Sequence, residues 1–354
     1  MNLLYYNKPT SIVSGPLNVA WHLSRALSKK MDITYFPSVN SRKWIFDILN
    51  VYTRYLSGQF DVIHFNLVPT WINGSYVMLN SAVSRKIPTV LNIHGFVNVE
   101  HAFEPRVRSM SNLTWVNCFN SCKIADRVVV NSDFMKRQLA SSYRIAPNRI
   151  NVIPNGVDVE RFAKCKSRIT LDGDPAILSV GQVCMLKGFG TFVDALGRLG
   201  HELPNMKLHL VGQVEKEYIE LAESKGVSNF LVFHGRVPHS LIPTYLKSAD
   251  FSIFGSVLYE GFGIVLVEAM ASGLPVIASD IDTYSQIITD GKDGLLFKRG
   301  NADSLSEVIL NLTKDVDLRR KISQNSQITA EKYDWEKIAE SYISLYRELC
   351  YGED

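Results

Sequence analysis

Two doubly wound α/β domains are the architecture this sequence predicts, and three observations carry the expectation. Its strand-like runs are continuously apolar rather than alternating, the mark of parallel strands covered on both faces. Segments of helical periodicity, roughly 10–20 residues each, separate almost every pair of runs. The 354-residue length exceeds what one hydrophobic core usually organises. In such folds ligands bind beyond the carboxyl ends of the strands, and with two domains the cleft between them is the expected pocket.

In chain order, the first half offers NLLYY, ITYF, DVIHF, PTVLNI, RVVVN and INVI as strands, and the second AILSVG, MKLHLVG, FLVFHG, FSIFGS and PVIAS. Between the halves, AKCKSRITLDGDP (163–175) loses periodicity and collects polar and turn residues. The boundary is therefore set at 165, giving domains 1–165 and 166–334. An internal echo, ADRVVVNS (125–132) and ADFSIFGS (249–256), places a serine at the same spacing beyond each strand, where it can serve the next turn. After a last strand-like GLLF the chain turns helical, ending in DWEKIAESYISLYRELC. That segment is amphipathic, with Trp335, Ile338, Ile343 and Leu345 or Tyr346 near one side, and residues 335–354 are expected to pack back across both domains.

With 46% hydrophobic and 21% charged residues the composition is that of an ordinary globular protein. The start has no basic region ahead of a long apolar run, and no stretch approaches the ~18 apolar residues of a membrane span, so a cytoplasmic location is expected. Five scattered cysteines without C-x-x-C spacing argue against a disulfide framework and a zinc site. No low-complexity tract or nucleic-acid motif occurs, so no nucleic-acid partner is expected. The net charge of +3 hides an asymmetry: residues 1–165 carry 19 Lys+Arg against 9 Asp+Glu, and the remainder 19 against 26. Either the first half alone meets an anionic surface, or these are two unrelated solvated surfaces.

The chemistry concentrates in YEGFGIVLVEAMASGLPVIASD (259–280). After the strand FSIFGS, the segment IVLVEAMASG reads as a helix from near Ile264 to Gly273, ahead of Pro275. Glu260 then lies in the preceding loop and Glu268 about one turn inside the helix. Gly261 and Gly263 let backbone approach a ligand, and the free N–H groups from Gly263 through Ile264 to Val265 form an anion site at the helix N-terminus. A carboxylate would repel a phosphate there, so each acid must serve neutral groups beside it. Sugar hydroxyls on either side of a diphosphate fit, and the ligand inferred is a nucleoside diphosphate sugar. Either acid alone is more ordinarily a helix-dipole partner or a loop acid; their joint setting around Gly261, Phe262 and Gly263 favours the site. Upstream, Lys187 follows Gln182 by five residues in VGQVCMLKGFG and is placed to meet the same diphosphate, although a loop lysine is usually just solvated.

These residues resemble the retaining glycosyltransferases of family four, which have the GT-B fold of two facing Rossmann-like domains. The resemblance runs over nearly the whole chain and rests chiefly on E-x7-E, here Glu260 to Glu268 within EGFGIVLVEAMASGLPVIASD. PNGVD (154–158), FHGRVP (233–238) and DGKDGLLF (290–297) look like further landmarks. The resemblance implies that Glu260 contacts donor-sugar hydroxyls, Glu268 the nucleotide ribose, and Lys187 the departing diphosphate. It also implies that His94, in LNIHGF, lies near an outer hydroxyl of the donor sugar, and that Ser14 and Gly15 occupy the place of a Gly-Gly loop approaching the diphosphate. Three departures stand out: Gln182 replaces a usual Arg, Gln286 a frequent Glu, and Ser14 the first Gly.

The reaction so implied is transfer of a sugar from a UDP- or GDP-sugar donor, without cofactor or metal, to a saccharide or lipid-linked saccharide acceptor in cell-surface polysaccharide or lipopolysaccharide biosynthesis. Negative charge grows on the diphosphate and the site stabilises it. Asp280 and Asp282 form a D-x-D, but their place after a strand suits a turn better than a metal. The alternatives are a nucleotide-sugar epimerase or a glycoside phosphorylase of the same fold. In the basic half, SRKWIFDILNVYTRYL (41–56) sets Arg42, Lys43 and Arg54 beside Trp44, Ile45, Ile48, Leu49 and Tyr52. It is either an interfacial helix for anionic lipid or an amphipathic helix on its own sheet. Peripheral attachment to the inner membrane face predicts co-sedimentation with anionic liposomes that is lost in high salt and weakened by R42E with K43E; binding unchanged by the substitutions, or none, rejects it.

Overall fold

In a computed structural model, described here for residues 1–6, 15–35, 44–66, 75–94 and 119–352, each apolar run above forms a strand. The first six are β1 (Asn2–Tyr6), β2 (Asp32–Tyr35), β3 (Val62–Phe65), β4 (Thr89–Ile93), β5 (Arg127–Val130) and β6 (Ile150–Val152). They make one sheet in the order β2-β1-β3-β4-β5-β6. The others are β7 (Ala176–Val180), β8 (Lys207–Val211), β9 (Leu231–Gly235), β10 (Phe251–Phe254), β11 (Val276–Ser279) and β12 (Leu295–Phe297). They make a second sheet, β12-β11-β10-β7-β8-β9. Every pairing within the two sheets is parallel.

The second sheet shows why its strands read as unbroken apolar runs. Successive residues point to opposite faces, and both faces are buried. Ile177, Leu208, Leu210, Ile253 and Ile277 join the core on one side, and Leu178, Val211, Phe254, Val276 and Ala278 the core on the other. Strand order reverses between β7 and β10, the switch point at which loops leaving the carboxyl ends diverge and open a crevice.

The chain divides into a first unit, Met1–Gly156 with Trp335–Asp354, and a second, Val157–Asp334. The division thus falls between 156 and 157, not after 165 as the lapse in periodicity suggested. The reason is a short helix, α1 (Val159–Ala163), whose Phe162 is buried in the second unit's core with Leu266, Val267 and Met270. The polar stretch that follows is a loop inside that unit, leading into β7.

The last helix, α2 (Trp335–Tyr351), belongs with the first unit rather than to a separate segment. It buries Trp335, Ile338, Ala339, Tyr342, Ile343, Leu345 and Tyr346. Gly156 seats Trp335, for any Cβ at that position would come within 2.3 Å of the indole. Tyr342 accepts a hydrogen bond from Asn92 Nδ2 at 2.8 Å, and the Tyr346 hydroxyl pairs with His64 Nδ1 at 2.5 Å. Lys29 with Glu336 and Lys30 with Glu340 form exposed ion pairs along the same helix, and such pairs add little stability. Burial of the apolar side chains carries its attachment.

The basic amphipathic segment forms a helix over Trp44–Leu56, while Ser41, Arg42 and Lys43 lie outside the described residues. Val51 and Tyr55 are buried in the first unit's core, and Tyr52 and Leu56 are exposed. Among the described residues no helix is long and apolar enough to cross a membrane.

Burial lowers the pKa of His64 to about 3, helped by His94, and burial lowers that of His94 to about 4. Both are neutral in the folded protein, whereas in the unfolded chain each takes a proton near pH 6.5. The unfolded state therefore binds more protons below that pH. Each histidine should remove up to about 1.4 kcal/mol of stability per pH unit as pH falls from about 6.5 towards 4. Urea unfolding between pH 6.5 and 5, above the carboxylate range, should show this slope, and His64→Gln should flatten it.

Candidate functional site

The switch point brings two post-strand loops together. Beyond β7, Gly181 and Gln182 turn the chain, and Val183 N–H donates to the Gln213 carbonyl at 2.8 Å. A 3₁₀ turn, Met185–Lys187, then ends at Gly188 with φ +85°, which opens helix α3 (Phe189–Leu199). Beyond β10, Val257 N–H donates to the Leu186 carbonyl at 3.0 Å. Gly188 lies so close to this second loop that a Cβ would stand 2.1 Å from the Gly255 carbonyl oxygen. A left-handed φ and a backbone contact both demand glycine here. The lock between the loops places Lys187 Nζ against Glu260 Oε2 in an ion pair, across 73 residues of sequence.

Glu260 is held from several directions. Ser256 Oγ donates to its Oε2 at 3.2 Å, the Tyr284 hydroxyl approaches the same oxygen at 3.5 Å, and Thr283 Oγ1 donates to its carbonyl at 2.8 Å. Ser256 and Tyr284 lie 3.2 Å apart, and Ser279 Oγ donates to the Ser256 carbonyl at 2.6 Å. Burial, and then the charge of Glu260, raise the Tyr284 pKa, so the phenol stays protonated and can serve the carboxylate as a donor.

Between the acids, Phe262 is buried against Tyr333 with ring centroids 5.4 Å apart and anchors the loop. Gly263, at φ +86°, starts helix α4 (Ile264–Ala271), close to where the sequence placed it. A Cβ there would meet the Tyr284 ring at 2.7 Å. The first N–H groups of the helix lack intrahelical acceptors, and with the dipole they favour an anion. Glu268 sits farther along the helix, only 4% exposed, with Oε1 3.1 Å from His239 Nε2. Arg161, from α1, holds His239 by Nη1 to Nδ1 at 3.2 Å and by Nη2 to the carbonyl oxygen at 2.6 Å.

The second unit thus gathers Lys187, Gly261, Phe262, Gly263, Ile264, Val265, Glu260 and Glu268 around one helix start, with Gln182 exposed in the turn after β7. His94 lies in the first unit just beyond β4, its Nε2 2.8 Å from the Asn66 carbonyl oxygen. Gly15 opens a helix of that unit, Gly15–Ser28, and Ser14 falls outside the described residues. Asp280 accepts from Arg299 N–H at 2.8 Å, and Asp282 lies in the first turn of a helix spanning Asp282–Ile287, so this pair shapes local structure. Ser256, Thr283, Tyr284, His239 and Arg161 went unread as site residues. Only Ser256 carried a signal, as the serine repeated beyond matching strands.

Residues 17–161 match the family model described as Glycosyltransferase Family 4, and residues 163–329 the one described as Glycosyl transferases group 1. A D-inositol 3-phosphate glycosyltransferase of Paenarthrobacter aurescens is 27% identical over 325 residues, 86% of this chain and 77% of the relative. A phosphatidyl-myo-inositol mannosyltransferase of Mycolicibacterium smegmatis is 32% identical over 200 residues, 55% of this chain and 50% of the relative. Among solved structures, Anabaena HepE in complex with UDP superposes with a TM-score of 0.73 at 18% identity, covering 98% of this chain and 99% of that one. A sucrose-phosphate synthase from Thermosynechococcus elongatus gives 0.75 at 20% identity, covering 98% of each chain. These structures share the GT-B fold with the chain.

The lock between the loops has a measurable signature. Gly188→Ala should destabilise the protein by about 2–4 kcal/mol, through strain and backbone overlap together. Gly197→Ala, in the same helix α3, meets only Val227 Cγ1 at 3.7 Å and should stabilise by about 0.5–1 kcal/mol. Urea unfolding of the two variants checks both signs.

Proposed function

Because the chain belongs to the family 4 and group 1 glycosyltransferases, whose models between them span residues 17–329, we propose that it moves a sugar from a nucleoside diphosphate to an acceptor hydroxyl with retention of anomeric configuration. The observation that carries this reading is the pair of acids about a glycine-started helix, with a lysine held against one of them. Glu268, nearly buried along α4, suits a ribose diol, and Glu260, in the loop, suits hydroxyls of the transferred ring. A diphosphate at the helix start would draw Lys187 from Glu260 and free that carboxylate for the sugar.

Positive charge then develops on the ring and negative charge on the diphosphate. Lys187 and the backbone N–H groups from Gly263 to Val265 neutralise the latter, a role that calls for no metal ion in this reading. The place of the usual Arg is taken by Gln182, which leaves Lys187 a larger share of that work. His94, neutral at physiological pH and with its Nε2–H donated to the Asn66 carbonyl, would accept a hydrogen bond at Nδ1 from an outer hydroxyl of the donor sugar.

A UDP- or GDP-sugar is the proposed donor, and the UDP and UDP-glucose complexes of HepE support trying uridine nucleotides first. The two relatives are named for inositol rings bearing phosphate, which fits an acceptor rich in hydroxyls and anionic enough to suit the basic first half. A saccharide or lipid-linked acceptor, met at the inner membrane face, is the corresponding proposal, with a place in cell-surface polysaccharide assembly.

Assay of the purified protein with a panel of UDP- and GDP-sugars should reveal one donor that is hydrolysed slowly without acceptor and transferred with it, with the product anomer matching the donor by NMR. Glu260→Ala should lower turnover by about 10²–10³-fold; turnover left intact would overturn the role given to Glu260.

A further inference from the structure

The contacts behind Glu268 carry an inference that rests on its proposed place at the ribose. Arginine has N–H donors and no acceptor, so the approach of Arg161 Nη1 to His239 Nδ1 at 3.2 Å requires Nδ1 to be the accepting nitrogen. The ring proton must then sit on Nε2, which faces Glu268 Oε1 at 3.1 Å and donates to it. A second guanidinium nitrogen grips the His239 carbonyl oxygen at 2.6 Å, so Arg161 holds both the ring and its backbone. Arg161 is fixed in its turn, its backbone N–H donating to Asp158 Oδ1 at 3.1 Å and its guanidinium lying 5.2 Å over the ring of buried Phe162.

We infer that Arg161 and His239 form a positioning relay for the nucleotide grip. Arg161 sets the tautomer of His239, His239 occupies one oxygen of Glu268, and Oε2 is left aimed for the ribose hydroxyls. Neither residue needs to touch the reacting atoms. His239 acts on the donor through Glu268, and Arg161 acts through His239. A glutamine can reproduce the arrangement at 239, since its amide donates at one end and accepts at the other.

Calorimetric titration with UDP and GDP, each also as the 2′,3′-dideoxy form, tests the relay in the full-length protein. With the nucleotide that binds, His239→Ala should weaken the ribo form about tenfold, the effect of losing a hydrogen bond to a charged group, and leave the dideoxy form within about twofold. His239→Gln should stay within about threefold of wild type, and Arg161→Met should weaken the ribo form selectively. Equal losses for both forms, or a glutamine variant as weak as the alanine one, would mean a merely structural role and overturn the relay. Glu268→Ala separates the two levels. If it weakens the ribo form while His239→Ala does not, the relay alone fails; if it has no effect, or wild type binds neither nucleotide, the assignment of the site fails and the relay with it.

Discussion

The parallel pairing of β7 with β10, Ile177 opposite Phe251, is the constraint from which the candidate site follows. Parallel neighbours that are not consecutive in sequence send their outgoing loops from one edge of the sheet in different directions. Here those loops meet at Gly188 and Gly255 before they separate, and that contact sets Lys187 beside Glu260. The acid, the base and the helix start are thus products of one strand order. A different order would leave the same residues scattered.

Electrostatics then sorts the two carboxylates into different settings. Glu260 is partly exposed and shares its charge with a lysine, a serine and a protonated tyrosine, partners from which a ligand could take over. Glu268 is nearly buried and meets a single ring nitrogen, itself braced by an arginine. A nearly buried acid costs free energy unless hydrogen bonds satisfy it, so its surroundings have to be specified closely.

Much of the fold was legible because strands buried on both faces are largely apolar, and AILSV or VIAS shows none of the strict alternation of a half-exposed strand. The start of α4 was legible for a local reason too, glycine followed by an apolar helix. The domain border was not, because a lapse in periodicity marks any polar loop, and the one at 163–175 lies within a unit rather than between units. Nor could the partners of the acids be read. Arg161, His239 and Tyr284 reach them from segments far apart in sequence, and nothing local in a histidine or a tyrosine announces which carboxylate it will meet.

The second unit is one uninterrupted stretch of chain, whereas the first is written in two pieces, its closing helix coming last. During synthesis the order of completion is therefore inverted. Residues 157–334 can finish folding as soon as they emerge, while the sheet of the first unit must wait for the helix at Trp335–Tyr351. Until then His64 lacks Tyr346 and Asn92 lacks Tyr342. A chain cut before residue 335 would carry a second unit that is whole and a first that is not.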